Sequence, residues 1–192
     1  NLVATIFKEV KGIGIKLPLQ RMKYDEAISK YGSDKPDLRF GMEIQDISDC
    51  FKATEFGVFK NVLENEGIIN AIVVKNQASN YSRKDLDKLT EYVKTYKASG
   101  LAYLKIGEEV TGSIVKVLKD SEIASVKEKL AVENNDLVLI VSGNYGIVKT
   151  ALGALRCKLA RDLSLINEND YKLLWVVDFP SFEWSEEENR YM

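Results

Sequence analysis

The spacing of hydrophobic positions changes along the chain between the period of a helix and the continuous runs of strands. The first helical pattern is short and repeats apolar side chains at Tyr24, Ala27, Ile28 and Tyr31. Gly32 follows it, and glycine readily adopts the left-handed conformation that ends many helices. The pattern predicts a helix over residues 24–31. An extended polar connector should follow, because Lys35 precedes a proline.

Runs of apolar and β-branched residues predict strands. These runs cover residues 58–59, 68–74, 101–106, 137–142 and 173–177. The last run is followed by Pro180 and the acidic residues 186–188, which predicts the start of a hairpin. A turn is predicted before the fourth run, at Asn134, Asn135 and Asp136.

Three longer helices are predicted from capping residues and helical spacing. Ser82 and Asp85 have the spacing of a capping box, and Gly100 should end the apolar face that follows, at Leu86, Leu89, Val93 and Tyr96. Ser121 is the expected N-cap of a helix over 121–132, with an inward face at Ile123, Val126 and Leu130. A helix over 145–163 carries Ile147, Leu152, Leu155 and Leu159.

This alternation predicts an α/β or α+β domain over residues 42–142, with its helices on one face of a sheet. Residues 1–41 and 143–192 flank this unit, and we expect them to return to a neighbouring domain. The chain starts at Asn1 and stops at Met192, inside what resembles continuing structure. We therefore expect it to be a segment of a longer protein.

Composition limits the chemistry that the chain can perform. With 27 basic and 29 acidic side chains, its net charge is −2, which is not typical of a protein that binds nucleic acid through overall charge. Any RNA contact must be local, and no DNA partner is expected. The absence of histidine removes histidine-based nucleophile pairs, general bases and most catalytic zinc sites.

Cysteine usage and hydropathy predict a cytoplasmic protein. Cys50 and Cys157 lack metal-ligand spacing and suit reduced, buried thiols. No secretion signal opens the chain, and the longest apolar run, 137–141, is too short to cross a bilayer. We therefore expect no membrane partner.

Residues 143–150, with the sequence GNYGIVKT, follow a predicted strand and open a helix, as a phosphate-binding Walker A loop does. Val148 stands where that motif needs its second glycine, and a β-branched residue resists positive φ. We therefore favour a plain strand-to-helix loop. The alternative is a free-standing nucleotide- or phosphate-binding α/β protein that uses this loop and its Lys149.

Two sets of polar residues are candidate contact sites. One combines an aromatic ring with two cations and would suit RNA by stacking and phosphate contacts, at Tyr81, Arg83 and Lys84. The simpler interpretation is a solubilising helix face, since nearby acidic residues balance the cations. The other set lies in the connector, at Ser33, Asp34, Lys35, Asp37 and Arg39. It could form a charge cluster that reaches an RNA backbone or the rim of an active site. The alternative is a hinge locked by ion pairs.

Adjacent carboxylates occur in two places. They are Glu108 and Glu109 in one loop, and the run 186–188 near the end. Neighbouring carboxylates on a turn are usually solvated. We propose no metal site from them.

The string Tyr31–Arg39, YGSDKPDLR, together with the preceding RMKYDEAISK, resembles a segment of bacterial-type aspartyl-tRNA synthetases. In that family the segment joins the catalytic domain to an inserted domain. Further resemblances follow in the same order along the chain, at residues 54–59 (first strand of the inserted domain), 97–103, 153–156 and 175–183. Lys23 departs from the family, which usually has a helix-capping threonine there.

The resemblance implies a fold and a parent activity. The inserted, or GAD, domain of that family is an α+β, sandwich-like domain similar to the pterin-dehydratase cofactor protein (DCoH-like), and the flanks would be pieces of a class II catalytic domain. The parent would be a cytoplasmic, homodimeric ligase that uses ATP and Mg²⁺ to attach aspartate to tRNA-Asp. No catalytic, ATP-binding or aspartate-binding residue of the family can be placed on this chain, so the segment alone should be inactive and hold no cofactor.

Overall fold

The computed structural model describes residues 2–182, 184–185 and 188–192 and has an α+β architecture. Its α-helices are α1 Leu2–Lys11, α2 Tyr24–Tyr31, α3 Gly57–Glu64, α4 Arg83–Lys94, α5 Asp120–Lys129 and α6 Tyr145–Asp162. Its strands are β1 Gln20–Lys23, β2 Gln45–Asp46, β3 Ile68–Val74, β4 Ala102–Lys105, β5 Thr111–Gly112, β6 Leu137–Gly143, β7 Leu174–Val177, β8 Trp184–Ser185 and β9 Arg190–Tyr191. No helix among these residues has the length and hydropathy needed to span a membrane.

Five strands form the central sheet in the order β2-β3-β6-β4-β5, and every neighbouring pair is antiparallel. The two central strands, β3 and β6, pair over seven residues, from Ile68 opposite Gly143 to Val74 opposite Leu137. The predicted strands at 68–74, 101–106 and 137–142 are therefore confirmed to within two residues at each end.

Helices cover both faces of this sheet, so the prediction that they lie on one face is wrong. One face packs against α4 and α6, through side chains such as Leu89 and Leu152. The other face packs against α3, α5 and a 3₁₀ helix, Ser48–Phe51. The physical reason is visible in β3 and β6, whose nearly continuous apolar sequences suit strands buried on both sides.

Residues 58–59, predicted as a strand, lie instead in the helix α3, so the stretch 54–59 does not form the first strand that the family resemblance implied. Phe59 points into the core, where its ring contacts those of Phe51 and Phe56 edge-on. Val62 and Leu63 follow at helical spacing and pack against the same cluster. A pair of apolar residues carries no period of its own, so it could not distinguish helix from strand.

Of two predicted helix N-caps, the one at Ser82 is confirmed and the one at Ser121 is wrong. Ser82 caps α4 through the expected box with Asp85, but α4 ends at Lys94, and a positive φ of 66° occurs at Lys97 rather than at Gly100. α5 begins one residue early, at Asp120, so Ser121 is inside the helix and not its N-cap. The Glu122 carboxylate accepts a hydrogen bond from the Lys119 backbone N–H at 2.8 Å and supplies the cap instead.

The flanks form a separate pair of strands. β7 pairs in parallel with β1, from Gln20 opposite Leu174 to Lys23 opposite Val177, and not with the strand predicted to follow it. A short antiparallel pair, β8 with β9, comes after it. Residues 186 and 187 of the predicted hairpin lie outside the described residues.

Candidate functional site

The connector begins where α2 ends and runs over residues 33–44 to the start of β2. Gly32 has a φ of 67° and donates its N–H to the Ile28 carbonyl, as predicted for the C-cap. Lys23, the residue before α2, makes no side-chain hydrogen bond that caps the helix. Farther along, the Lys35 N–H donates to Ser33 Oγ at 3.0 Å, which forms a local turn.

Asp37 and Arg39 bond to each other within the connector. Arg39 Nε donates to one carboxylate oxygen of Asp37 at 3.0 Å, and Nη2 donates to the other at 2.8 Å. The Arg39 backbone N–H adds a third bond at 3.0 Å. These bonds from Arg39 outweigh partial burial and lower the pKa of Asp37. This geometry resembles the locked hinge more than an open charge cluster.

The connector lies beside the segment that returns from α6. A groove of about 250 Å³ separates Lys35, Asp37 and Arg39 from Asp170 and Lys172. Asp170 and Lys172 form their own ion pair at 3.5 Å. Charges of both signs therefore line the groove, and two ion pairs, Arg39 with Asp37 and Lys172 with Asp170, neutralise most of them.

Arg156, in the middle of α6, is the main contact of the connector, and sequence reasoning did not single it out. Its side chain is 1% exposed, and it donates to three connector carbonyls, those of Asp37, Gly41 and Met42, at 3.0–3.3 Å. The guanidinium also stacks near the rings of Tyr31 and Phe40. One signal could have found it: Arg156 directly follows Leu155, a fully buried position of the same helix.

The loop at 143–150 does not have the geometry of a phosphate-binding site. Lys149 is 4% exposed, and its Nζ donates to the Ser29 carbonyl at 2.8 Å and faces the Asn70 side-chain oxygen, whose orientation is assigned from the hydrogen-bond network. Val148 is buried in the core. Asn144 caps α6 by accepting from the Gly146 N–H at 2.9 Å. The only cation of the loop is therefore turned inward, which favours the strand-to-helix interpretation.

The second candidate set lies at the start of α4. Tyr81 is half-buried against the core, burial raises the pKa of its hydroxyl, and its backbone carbonyl accepts from Lys105 Nζ at 2.5 Å. Its ring is thus already partly used in packing. Arg83 and Lys84 are exposed in the first turn of the helix. The two candidate sets share no hydrogen bond or ion pair in the described part of the chain, so the structure does not join them into one site.

Metal ligation has little support in the described ranges. No group of three or more Cys, Asp or Glu side chains lies close enough together there to hold a metal ion. Glu108 and Glu109 are exposed on a loop, and Glu188 lies 3.4 Å from Arg190 in an ion pair.

Comparison with known proteins adds a family to this geometry. Residues 59–152, from α3 to the middle of α6, match the model of the GAD domain. Over 192 residues the chain is 47% identical to an aspartate–tRNA ligase of Clostridium botulinum and to an aspartate–tRNA(Asp/Asn) ligase of Anoxybacillus flavithermus. Each match covers 100% of this chain and 32% of the relative. The chain thus spans about a third of the length of these relatives.

Proposed function

Because this chain belongs to the family of bacterial aspartate–tRNA ligases, we propose that it is the segment of such an enzyme that carries the inserted domain. The whole enzyme would be a cytoplasmic homodimer that activates aspartate with ATP and Mg²⁺ and transfers it to tRNA-Asp. Residues 42–142 would be the inserted, DCoH-like domain. Residues 1–41 and 143–192 would be flanks that belong to a class II catalytic domain, although α6 of the second flank packs on the sheet of the inserted domain.

The distribution of exposed apolar side chains supports the assignment of the flanks. Among the described residues, most large exposed apolar side chains lie before residue 20 or after residue 163, including Leu2, Val10, Trp175, Phe179 and Phe182. The region between them exposes fewer, at Val58, Val117 and Tyr145. Large apolar surfaces usually mark contacts with other protein. The remaining two thirds of a relative's length would supply such a partner.

The inserted domain itself would act as an accessory module that contacts tRNA through Arg83 and Lys84. The observation that carries this proposal is that both cations are exposed and that neither forms an ion pair in the described residues. The carboxylate that follows them in the sequence, that of Asp85, is engaged by the Ser82 backbone N–H and hydroxyl and by Lys88. The two cations therefore remain available for phosphate groups.

The experiment is a titration of this chain with tRNA-Asp and with an unrelated tRNA at two salt concentrations. We expect binding that weakens as salt rises. Replacing both cations (Arg83→Ala with Lys84→Ala) should reduce the slope of log affinity against log salt by up to about 2, one for each phosphate contact. A matched control removes two exposed cations from the side of the sheet covered by α5, Lys116→Ala with Lys127→Ala, and should leave the slope unchanged.

The outcomes separate two roles for the module. Equal slopes for the two double variants would overturn the proposed RNA contact. Absence of binding to either tRNA would leave a structural role within the enzyme. That result would not affect the family assignment, which rests on sequence.

A further inference from the structure

One face of α6 contacts the incoming segment, which consists of α2 and the connector that follows it. Lys149, Gly153 and Arg156 lie four and three residues apart, which places them on the same side of the helix. Lys149 donates to the Ser29 carbonyl near the end of α2, and Arg156 donates to carbonyls of the connector. These two cations thus contact both parts of the incoming segment.

Gly153 lies between the two cations and allows the backbones to touch. A Cβ atom on Gly153 would lie 2.8 Å from the carbonyl oxygens of both Tyr31 and Gly32, closer than real Cβ atoms approach backbone. A Cβ atom on Gly32 would in turn overlap the carbonyl oxygen of Lys149. The end of α2 therefore rests directly on the backbone of α6.

The buried cations depend on this contact for their hydrogen bonds. Neither Lys149 nor Arg156 forms an ion pair in the described residues, and both donate to backbone carbonyls of the incoming segment. Lys149 has one further acceptor, the Asn70 side-chain oxygen of β3. A buried charge that loses its partners is strongly unfavourable. Separation of the connector from α6 would therefore require Arg156 to be exposed or left unsatisfied.

We propose that Arg156 is a positioning residue that holds α2 and the connector in one arrangement on α6, so that the flank and the sheet domain move as a single body. α2 directly follows β1, and β1 pairs with β7, so an α2 fixed on α6 also fixes the flanking strand pair. The inference deepens the proposed accessory role, because an inserted domain held in this way keeps one orientation relative to its flanks. Its geometry does not depend on RNA.

Hydrogen exchange of the backbone amides tests the proposal without tRNA. In Arg156→Met, which keeps an unbranched side chain but no donors, we expect amides of residues 33–44 to exchange at least about tenfold faster. Ile44 is a useful reporter, since its N–H donates to the Lys30 carbonyl at 2.8 Å. Amides of β3 and β6 should keep their protection. The control is Arg161→Met, an exposed arginine on the same helix.

Two results would overturn the proposal. One is unchanged exchange over residues 33–44 in a folded Arg156→Met protein. The other is an equal increase in exchange across the sheet, which would indicate general destabilisation. Should Arg156→Met not fold, Arg156→Lys provides the test, because an ammonium retains the charge but cannot reproduce the guanidinium fork. We expect an intermediate increase confined to the connector, and wild-type exchange rates there would contradict it.

Discussion

At the scale of single residues, Asp136 joins the ends of the two central strands. Its carboxylate is 2% exposed and accepts hydrogen bonds from Lys75 Nζ at 2.8 Å and from the N–H groups of Asn76 and Glu133 at 2.9 and 2.8 Å. Burial alone would raise the pKa of Asp136, but these hydrogen bonds outweigh it and hold the pKa below its usual value of 3.8. The turn predicted at 134–136 is thus built around this carboxylate.

Replacing Asp136 with asparagine should destabilise the protein by about 2–3 kcal/mol at neutral pH, because an amide cannot accept all of these bonds. A carboxylate with a lowered pKa stabilises the fold above pH 3.8 and loses that contribution as pH falls further. Urea unfolding between pH 7 and pH 2 should therefore show a steeper loss below pH 4 in wild type than in Asp136→Asn. The exposed Asp87→Asn serves as control, and parallel pH profiles for wild type and Asp136→Asn would contradict the prediction.

At the scale of elements, α3 shows how packing selects one of two local structures. Its sequence, GVFKNVLE, contains β-branched residues that also suit a strand. The helix is favoured because it turns three apolar side chains, Phe59, Val62 and Leu63, towards one sheet face. The central strands need that cover, since both of their faces are apolar.

Truncation of α3 tests this packing. Phe59 is 2% exposed, so Phe59→Ala should cost about 3–5 kcal/mol in unfolding free energy through lost burial and a cavity. The neighbouring Val58 is 53% exposed, and Val58→Ala should change stability by less than about 0.5 kcal/mol. Both values follow from denaturant unfolding. Similar losses for the two variants would mean that α3 does not present Phe59 to the core.

At the scale of the whole molecule, the described structure combines a covered sheet with an apolar flank. Helices bury both faces of the central sheet, while α1 and the region around β7 leave large apolar side chains exposed. The compact part therefore has its own core, whereas the flanks present surface suited to further protein. This division agrees with the match to about a third of the relatives' length.

This chain alone is predicted not to activate aspartate with ATP. We expect no aspartate-dependent exchange of pyrophosphate into ATP by the chain alone. The loop at 143–150 offers no cation to a phosphate group, because Lys149 donates to the Ser29 carbonyl and Val148 is buried in the core. An intact ligase of the family serves as the positive control. Exchange by the isolated chain that disappears in Lys149→Ala would revive the phosphate-binding alternative and contradict the accessory role.

Features that depend on neighbouring residues could be predicted from the sequence. The cap at Gly32, the box at Ser82 and Asp85, the central strands and the long helix α6 are local signals of backbone geometry, capping and period. The resemblance to the synthetase family was also contained in local strings, above all residues 31–39. Such signals require no knowledge of what packs against them.

The packing partners of these elements could not be predicted in this way. Whether helices cover one or both sheet faces, and whether β7 pairs with β1, depend on contacts between distant parts of the chain. Lys149 turns towards Ser29, 120 positions earlier, and Arg156 finds Met42, 114 positions earlier. The physical reason is that a buried cation must donate to nearby acceptors. Here those acceptors come from parts of the chain that are distant in sequence, so the residues next to the cation do not identify them.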